Sequence, residues 1–292
     1  MLRLKRLKIL DSKEALDSIP QGKVLINTIN AHSYNVAQHD DLFAESLNPE
    51  EKPENRCLRY LIPDGASIVK ACRWLHAKSQ PKERIAGWDL FSYEMKKLNE
   101  NQNKNENPVP VLRKRSDQGR ADVDVPVDVD VPVDVPVKKV MFMGSSESVL
   151  SLIRKRTALD YPNLEVVTYS PPYKPEFSEA DNNAIVDAIN QANPDLLWIG
   201  MTAPKQEKWT YQHWDELNIH CHVGTIGAVF DFYAGTATRA PLWWQRHSLE
   251  WLYRLVKEPK RMWRRYVIGN PLFLWNVLKE YFFSENTHYM KK

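Results

Sequence analysis

Cysteine is scarce: Cys57, Cys72 and Cys221 are the three in 292 residues, and they form neither a metal-ligand spacing nor an even disulfide set. That usage points to a reducing compartment. Long apolar runs are missing too, since no segment reaches the about 20 residues needed to span a bilayer. Met1 to Leu10 alternates Leu with Lys and Arg and lacks the continuous apolar run of a secretion signal. A cytoplasmic protein, or one peripheral on the inner face of the cell membrane, is expected. Neither the full glycine fingerprint of dinucleotide folds nor a Walker A sequence is present, which argues against NAD and ATP chemistry. No cofactor is expected.

What the chain does have is 43% hydrophobic residues, enough for a real core, and a mild net charge of +3 that is unevenly spread. Between Arg239 and Arg265, Arg239, Arg246, Arg254, Lys257, Lys260, Arg261, Arg264 and Arg265 face only Glu250 and Glu258. An anionic ligand is expected at that end.

Short apolar runs alternate with longer amphipathic ones, the rhythm of βα units. Strands are predicted at Val24–Asn27, Leu58–Ile62, Lys139–Met143, Leu164–Tyr169, Asp195–Gly200 and Ile219–Val223. Helices are predicted at Ser67–Ala77, Glu147–Leu159, Glu179–Gln191 and Gln206–Glu216. The fold class is α/β: a Rossmann-like, mostly parallel open sheet flanked by helices, with a helical C-terminal appendage. Residues 1–240 form the core and 241–292 the appendage.

Residues 96–137 break the rhythm. Lys96–Asn107 is rich in Lys, Asn and Glu, and Asp122–Val137 is a DVDVP-type repeat. Regular proline prevents a core strand, so the segment reads as an extended surface insert. Asp122-Val123-Asp124 and Asp128-Val129-Asp130 match the Asp-x-Asp element by which some glycosyltransferases hold a divalent metal. A repeat supplies no rigid loop for such a site, so a solvated spacer is the preferred reading.

Open α/β sheets bind ligands beyond the carboxyl ends of their strands. Five loops there carry distinctive residues: Thr28 and Asn30, Asp64-Gly65, Gly144-Ser145-Ser146, Pro204-Lys205-Gln206-Glu207, and Gly224–Gly227. Each has a local alternative. Asp64 suits a helix N-cap, Thr28 and Asn30 suit turn positions, and Pro204 suits the first helical position. The Gly144 turn resembles a phosphate cradle.

The series Pro204–Glu207, Gly224–Asp231, Gly235, Arg239-Ala240-Pro241, Leu249–Arg254, Glu258–Arg261 and Arg264-Arg265-Tyr266, with Leu61–Gly65, Arg84–Leu90 and Val140–Gly144, resembles the WecG/TagA/CpsF glycosyltransferases. Ser145 stands where a second glycine is common in that family. The resemblance implies inverting, metal-independent transfer of a hexosyl group from a UDP-sugar to a polyprenyl-diphosphate-linked sugar, for capsule, exopolysaccharide or another surface polysaccharide. It makes Asp64 the general base. Thr28, Asn30 and Gln206 would line the sugar and acceptor pocket, and Arg84 would contact donor or acceptor. Gly144, Gly224, Gly227 and Asp231 would hold the nucleotide, and Arg254, Arg261 and Arg264 the departing diphosphate. An N-acetylmannosamine donor is favoured over glucose or a uronic acid.

In the appendage, Glu258 and Pro259 suit a cap and first helical position, and helical spacing puts Arg261, Arg264 and Arg265 on one side. Asn270-Pro271 suits another such pair, opening a helix over Pro271–Phe283. There Asn276, Lys279 and Glu280 form a narrow polar stripe among apolar residues. Thirteen residues span roughly 20 Å, too short to cross a bilayer, so the helix reads as an interfacial anchor or as a surface packed on the sheet or another subunit. Two other function classes remain. Interleaved basic and aromatic residues could bind single-stranded nucleic acid, although the mild charge opposes it, and the Asp-x-Asp repeats could serve a metal-dependent transferase.

Overall fold

The computed structural model describes residues 1–48, 57–106 and 137–283, with the side chains of 101–106 left out. Six parallel strands form one open sheet in the order β2-β1-β6-β5-β3-β4: β1 (Val24–Ile29), β2 (Leu58–Pro63), β3 (Lys138–Gly144), β4 (Leu164–Tyr169), β5 (Leu196–Gly200) and β6 (His222–Thr225). Helices α1 (Ala31–Val36) and α2 (Asp41–Leu47) follow β1, while α3 (Ala66–Trp74) and α4 (Gly87–Glu106) follow β2. Each of α5 (Glu147–Asp160), α6 (Glu179–Ala192) and α7 (Lys205–Gln212) follows one strand, and α8 (Gly227–Ala234) follows β6. The tail is α9 (Leu242–Arg246), α10 (Glu250–Lys257), α11 (Pro259–Trp263), a π-helical turn (Arg264–Ile268) and α12 (Gly269–Phe283).

Strand alternation sorts the core. Val24, Ile26, Val140, Phe142 and Trp198 point to one face, where α4, α5 and α8 cover them. Leu25, Met141, Met143, Leu197 and Ile199 point to the other, against α6 and α7. Beyond the β2 edge, a third cluster joins Leu2, Leu4 and Leu7 to α1, α2, α3 and α12.

The predicted α/β architecture stands, with local corrections. β6 begins at His222 rather than Ile219, because only from His222 does the chain reach register with Val24 and Leu196. The helix expected over Gln206–Glu216 stops at Gln212 and resumes as a short 3₁₀ turn at Trp214–Glu216. Lys96–Glu106 is not extended: it continues α4, with Met95 buried and Leu98 packed on the core. The Asp-x-Asp repeats lie outside the described residues. Glu258 and Pro259 open α11 as expected, but α12 starts at Gly269, with Pro271 inside its first turn.

Of the polar stripe of α12, Asn276 and Glu280 face inward while Lys279 stays exposed. Buried Glu280 accepts from the Leu4 and Lys5 amides (3.0 and 2.7 Å) and the Tyr34 hydroxyl (2.7 Å). Asn276 donates to Asn35, which donates in turn to the Gly269 carbonyl. Phe273 and Val277 fill the third cluster beside them, so Leu274, Trp275, Phe282 and Phe283 are left exposed.

Two predictions follow from these buried carboxylates. Replacing Glu280 with Ala strands two buried donors and a half-buried one and should destabilise the chain by about 3 kcal/mol in chemical denaturation. At the other end of the sheet, His222 lies between Glu94 (3.0 Å) and the Pro20 carbonyl (2.9 Å). Desolvation lowers its pKa, but the hydrogen bond and charge of Glu94 and the Pro20 carbonyl outweigh this, leaving it raised. The stabilisation is therefore full below the ordinary imidazole value and lost as pH rises through the raised one. His222→Gln should depress the melting temperature strongly near pH 6 and much less near pH 9.

Candidate active site

The carboxyl ends of β1 and β2 lie side by side, and the Asp64 amide donates to the Ile29 carbonyl (2.8 Å). Asp64 is not the N-cap of α3; Gly65 takes that position, with φ +148. No donor among the described residues bonds the Asp64 carboxylate through a hydrogen bond. The residue is half-buried. Desolvation there raises its pKa above the usual carboxylate range, opposed by the charges of Arg84, Arg254 and Arg265 and assisted by Glu250.

The neighbours arrive from separate elements. Asn30 caps α1, its Oδ1 accepting from His32 and Ser33 (both 3.0 Å), so its role as a turn residue is real. Its amide nitrogen is still free of any hydrogen-bond partner among the described residues. Thr28 precedes it near the end of β1, opposite Ile62. The Ile85 amide donates to the Pro63 carbonyl (3.0 Å), which sets Arg84 beside Asp64. Arg84 pairs with Glu250 of α10, whose other oxygen is 3.5 Å from Arg239; all three side chains are only 20 to 23% exposed. Arg239 also lies over the Trp88 ring (5.4 Å).

Glu250 was not among the expected site residues, nor was Arg265. The Arg265 guanidinium is largely desolvated, its Nε is buried without a hydrogen-bond partner, and its charge acts on Asp64 and Arg254. His32 is pushed down to about 4 by burial and by Arg265, so its imidazole is neutral. Arg254 lies over the Phe232 ring (4.7 Å) between two carboxylates, acting on both Asp64 and Asp231. Burial raises the Asp231 pKa and Arg261 opposes it most, yet Arg261 itself is 71% exposed and paired with Glu258. Arg264 turns away to lie over the Trp263 ring (5.4 Å). The π turn beginning at Arg264 breaks ordinary helical spacing, and Arg265 rather than Arg264 is brought to Asp64.

Gln206 and the glycines play framework parts. Gln206 is buried, and its Oε1 accepts from the Met201 and Gly227 amides (3.2 and 3.1 Å) while its Nε2 donates to Glu207 (2.8 Å). It thus braces the loop after β5 against the start of α8. Pro204 is the N-cap of α7, not its first helical residue. A side chain at Gly227 would meet the Met201 carbonyl at 2.2 Å, and Gly224 leaves room for the Trp198 ring. At Gly144, φ is +117 and a Cβ would lie 2.4 Å from the Gly200 carbonyl, so the ends of β3 and β5 meet flush. Connections leave β3 and β5 in opposite directions, which makes their junction the switch point of the sheet. Among the described residues no group of three or more His, Cys, Asp or Glu could hold a metal ion.

The arrangement supplies a desolvated carboxylate able to accept a proton and several guanidinium groups able to meet a diphosphate. Three named proteins are similar over most of the chain. One from Bacillus spizizenii is 25% identical over 89% of this chain and 84% of its own length. One from Bacillus subtilis is 27% identical over 76% and 69%, and one from Staphylococcus aureus 23% identical over 88% and 81%. All three carry the name N-acetylglucosaminyldiphosphoundecaprenol N-acetyl-beta-D-mannosaminyltransferase. Residues 134–287 match the glycosyl transferase WecG/TagA/CpsF family, and the chain is a glycosyltransferase belonging to that family.

Proposed function

We propose that the enzyme transfers N-acetylmannosamine, with inversion and without a metal, from a UDP-sugar to N-acetylglucosamine linked to a polyprenyl diphosphate. The observation that carries this reading is Asp64: a desolvated carboxylate with no hydrogen-bond donor among the described residues, set among Arg84, Arg254 and Arg265. Its raised pKa suits a general base. The acceptor hydroxyl oxygen forms the new bond to the anomeric carbon as the bond to the UDP oxygen breaks. Asp64 takes the hydroxyl proton, and UDP departs with its extra negative charge. Arg254 and Arg265 meet that charge, with Arg261 and Arg84 at the margins. The names of the similar enzymes favour N-acetylmannosamine over glucose or a uronic acid.

Membrane docking is part of the same reading. No described helix is long and apolar enough to cross a membrane. The tail instead offers an exposed apolar surface, with Leu242, Trp243, Val267, Ile268, Trp275 and Phe282 each more than half exposed, beside its basic residues. This pairing suits an anionic inner leaflet that holds the lipid acceptor. Nucleic-acid binding finds less support, because Trp244 packs with Tyr253 and Trp251 with Tyr266 rather than offering free stacking faces.

The test is UDP release from a panel of UDP-sugars in EDTA with the lipid-linked acceptor. UDP-N-acetylmannosamine should be turned over, and Asp64→Asn should lose on the order of a hundredfold or more in kcat with the fold intact. Release dependent on added metal would contradict the reading. Because the base must be ionised, kcat should fall as pH drops through a value above the ordinary aspartate range. Arg265→Ala should cost roughly 10²-fold, whereas Arg264→Ala should cost much less.

A further inference from the structure

We propose that Glu207 is a positioning residue for the transfer: it fixes which way round the Gln206 carboxamide lies, and through that amide it sets the start of α8, on which Arg254 rests. This deepens the reading above and rests on it for the activity measured. Glu207 is 2% exposed, and burying a carboxyl is costly unless the group is bonded to something. The ordinary partners are closed to it. As the third residue of α7 it is placed for a capping box, but the N-cap is Pro204, which has no N–H to offer. Among the described residues no cation pairs with it, and its Oε2 meets no hydrogen-bond partner. What remains is Oε1, which accepts from Gln206 Nε2 (2.8 Å).

Adjacent residues on a helix do not face each other, so this contact is not a by-product of helical spacing. Gln206 Oε1 accepts from the Met201 and Gly227 amides (3.2 and 3.1 Å). Turned over, the carboxamide would set its own NH2 against both donors, and the acceptor at Glu207 holds it the other way. The fit has no slack, since a Cβ at Gly227 would come 2.9 Å from the same Oε1. Gly227 opens α8, and Phe232 of α8 is the ring over which Arg254 lies (4.7 Å). Arg254 in turn acts on Asp64. Glu207 thus reaches the reacting groups through Gln206, the Gly227 turn and Phe232. Burial pushes the Glu207 pKa up to about 7 against the Gln206 bond, so the neutral acid is well populated near neutral pH and a glutamine can stand in for it.

The test compares full-length wild type, Glu207→Gln and Glu207→Leu by UDP release, thermal melting and hydrogen exchange at the Met201 and Gly227 amides. Glu207→Gln keeps the acceptor oxygen and should stay close to wild type in all three. Glu207→Leu strands Gln206 Nε2 but removes the partnerless Oε2, two costs of similar size, so its melting temperature should stay near that of wild type. Its kcat should nevertheless fall roughly 10- to 100-fold through misplaced groups, with a smaller change in KM, and the two amides should lose protection. Full kcat and unchanged exchange in Glu207→Leu would overturn the inference. A melting temperature that falls together with kcat would also overturn it, as the mark of a purely structural carboxyl. If wild type releases UDP from no donor, the reading of the reaction fails by itself and exchange still decides this one. Protection unchanged in Glu207→Leu then overturns it, whereas protection lost there and kept in Glu207→Gln supports it.

Discussion

The site depends on the carboxylate of Glu250, held between Arg84 and Arg239. Arg84 belongs to the segment pinned against the end of β2, and Glu250 opens α10 of the tail. Their pairing therefore joins the basic appendage to the core beside Asp64. The three side chains are mostly buried, so their attraction is less screened than on an open surface, while two guanidinium groups offset the desolvation of one carboxylate. Once α10 is fixed in this way, Arg254 stands one helical turn along and acts on both Asp64 and Asp231.

The second attachment is at the far end of the tail. Glu280 gathers two backbone amides of the N-terminal segment and the Tyr34 hydroxyl, while Asn276 reaches Asn35 of α1. Since α1 starts just after Asn30, the same helix carries one edge of the candidate site and receives α12. Between the two attachments runs the π turn that carries Arg265. The outward face keeps its apolar residues, so the appendage can hold the core with one side and offer the other to a lipid surface.

Much of this was legible in the sequence where local chemistry was strong. Leu164–Tyr169 reads as a strand and is one, and α5 and α6 begin where Ser146 and Ser178 cap them. Asp64, Asn30 and Arg84 come together because strand ends in a parallel sheet share one edge. Side-chain direction was less legible. Helical spacing cannot foresee a π turn, so Arg265 looked no different from Arg264. Polarity alone placed Glu280 in a narrow polar stripe and could not name its partners, which lie more than 240 residues away in sequence. The Lys- and Asn-rich end of α4 read as an insert because a solvated helical face has the composition of a linker. Gln206 reads as a pocket-lining amide, and its bonds to Met201, Gly227 and Glu207 in the framework could not be read from the sequence.

The central claim is that cations of the tail and a carboxylate of the core form one electrostatic unit. The most direct measurement is the Asp64 pKa, read from carboxyl carbon shifts by NMR in the full-length wild type and in Arg254→Gln and Arg265→Gln. Both arginines lower a pKa that burial has raised, so each substitution should raise it further. An Asp64 that titrates identically in all three proteins would contradict the account and leave the tail a neighbour of the site rather than a part of it.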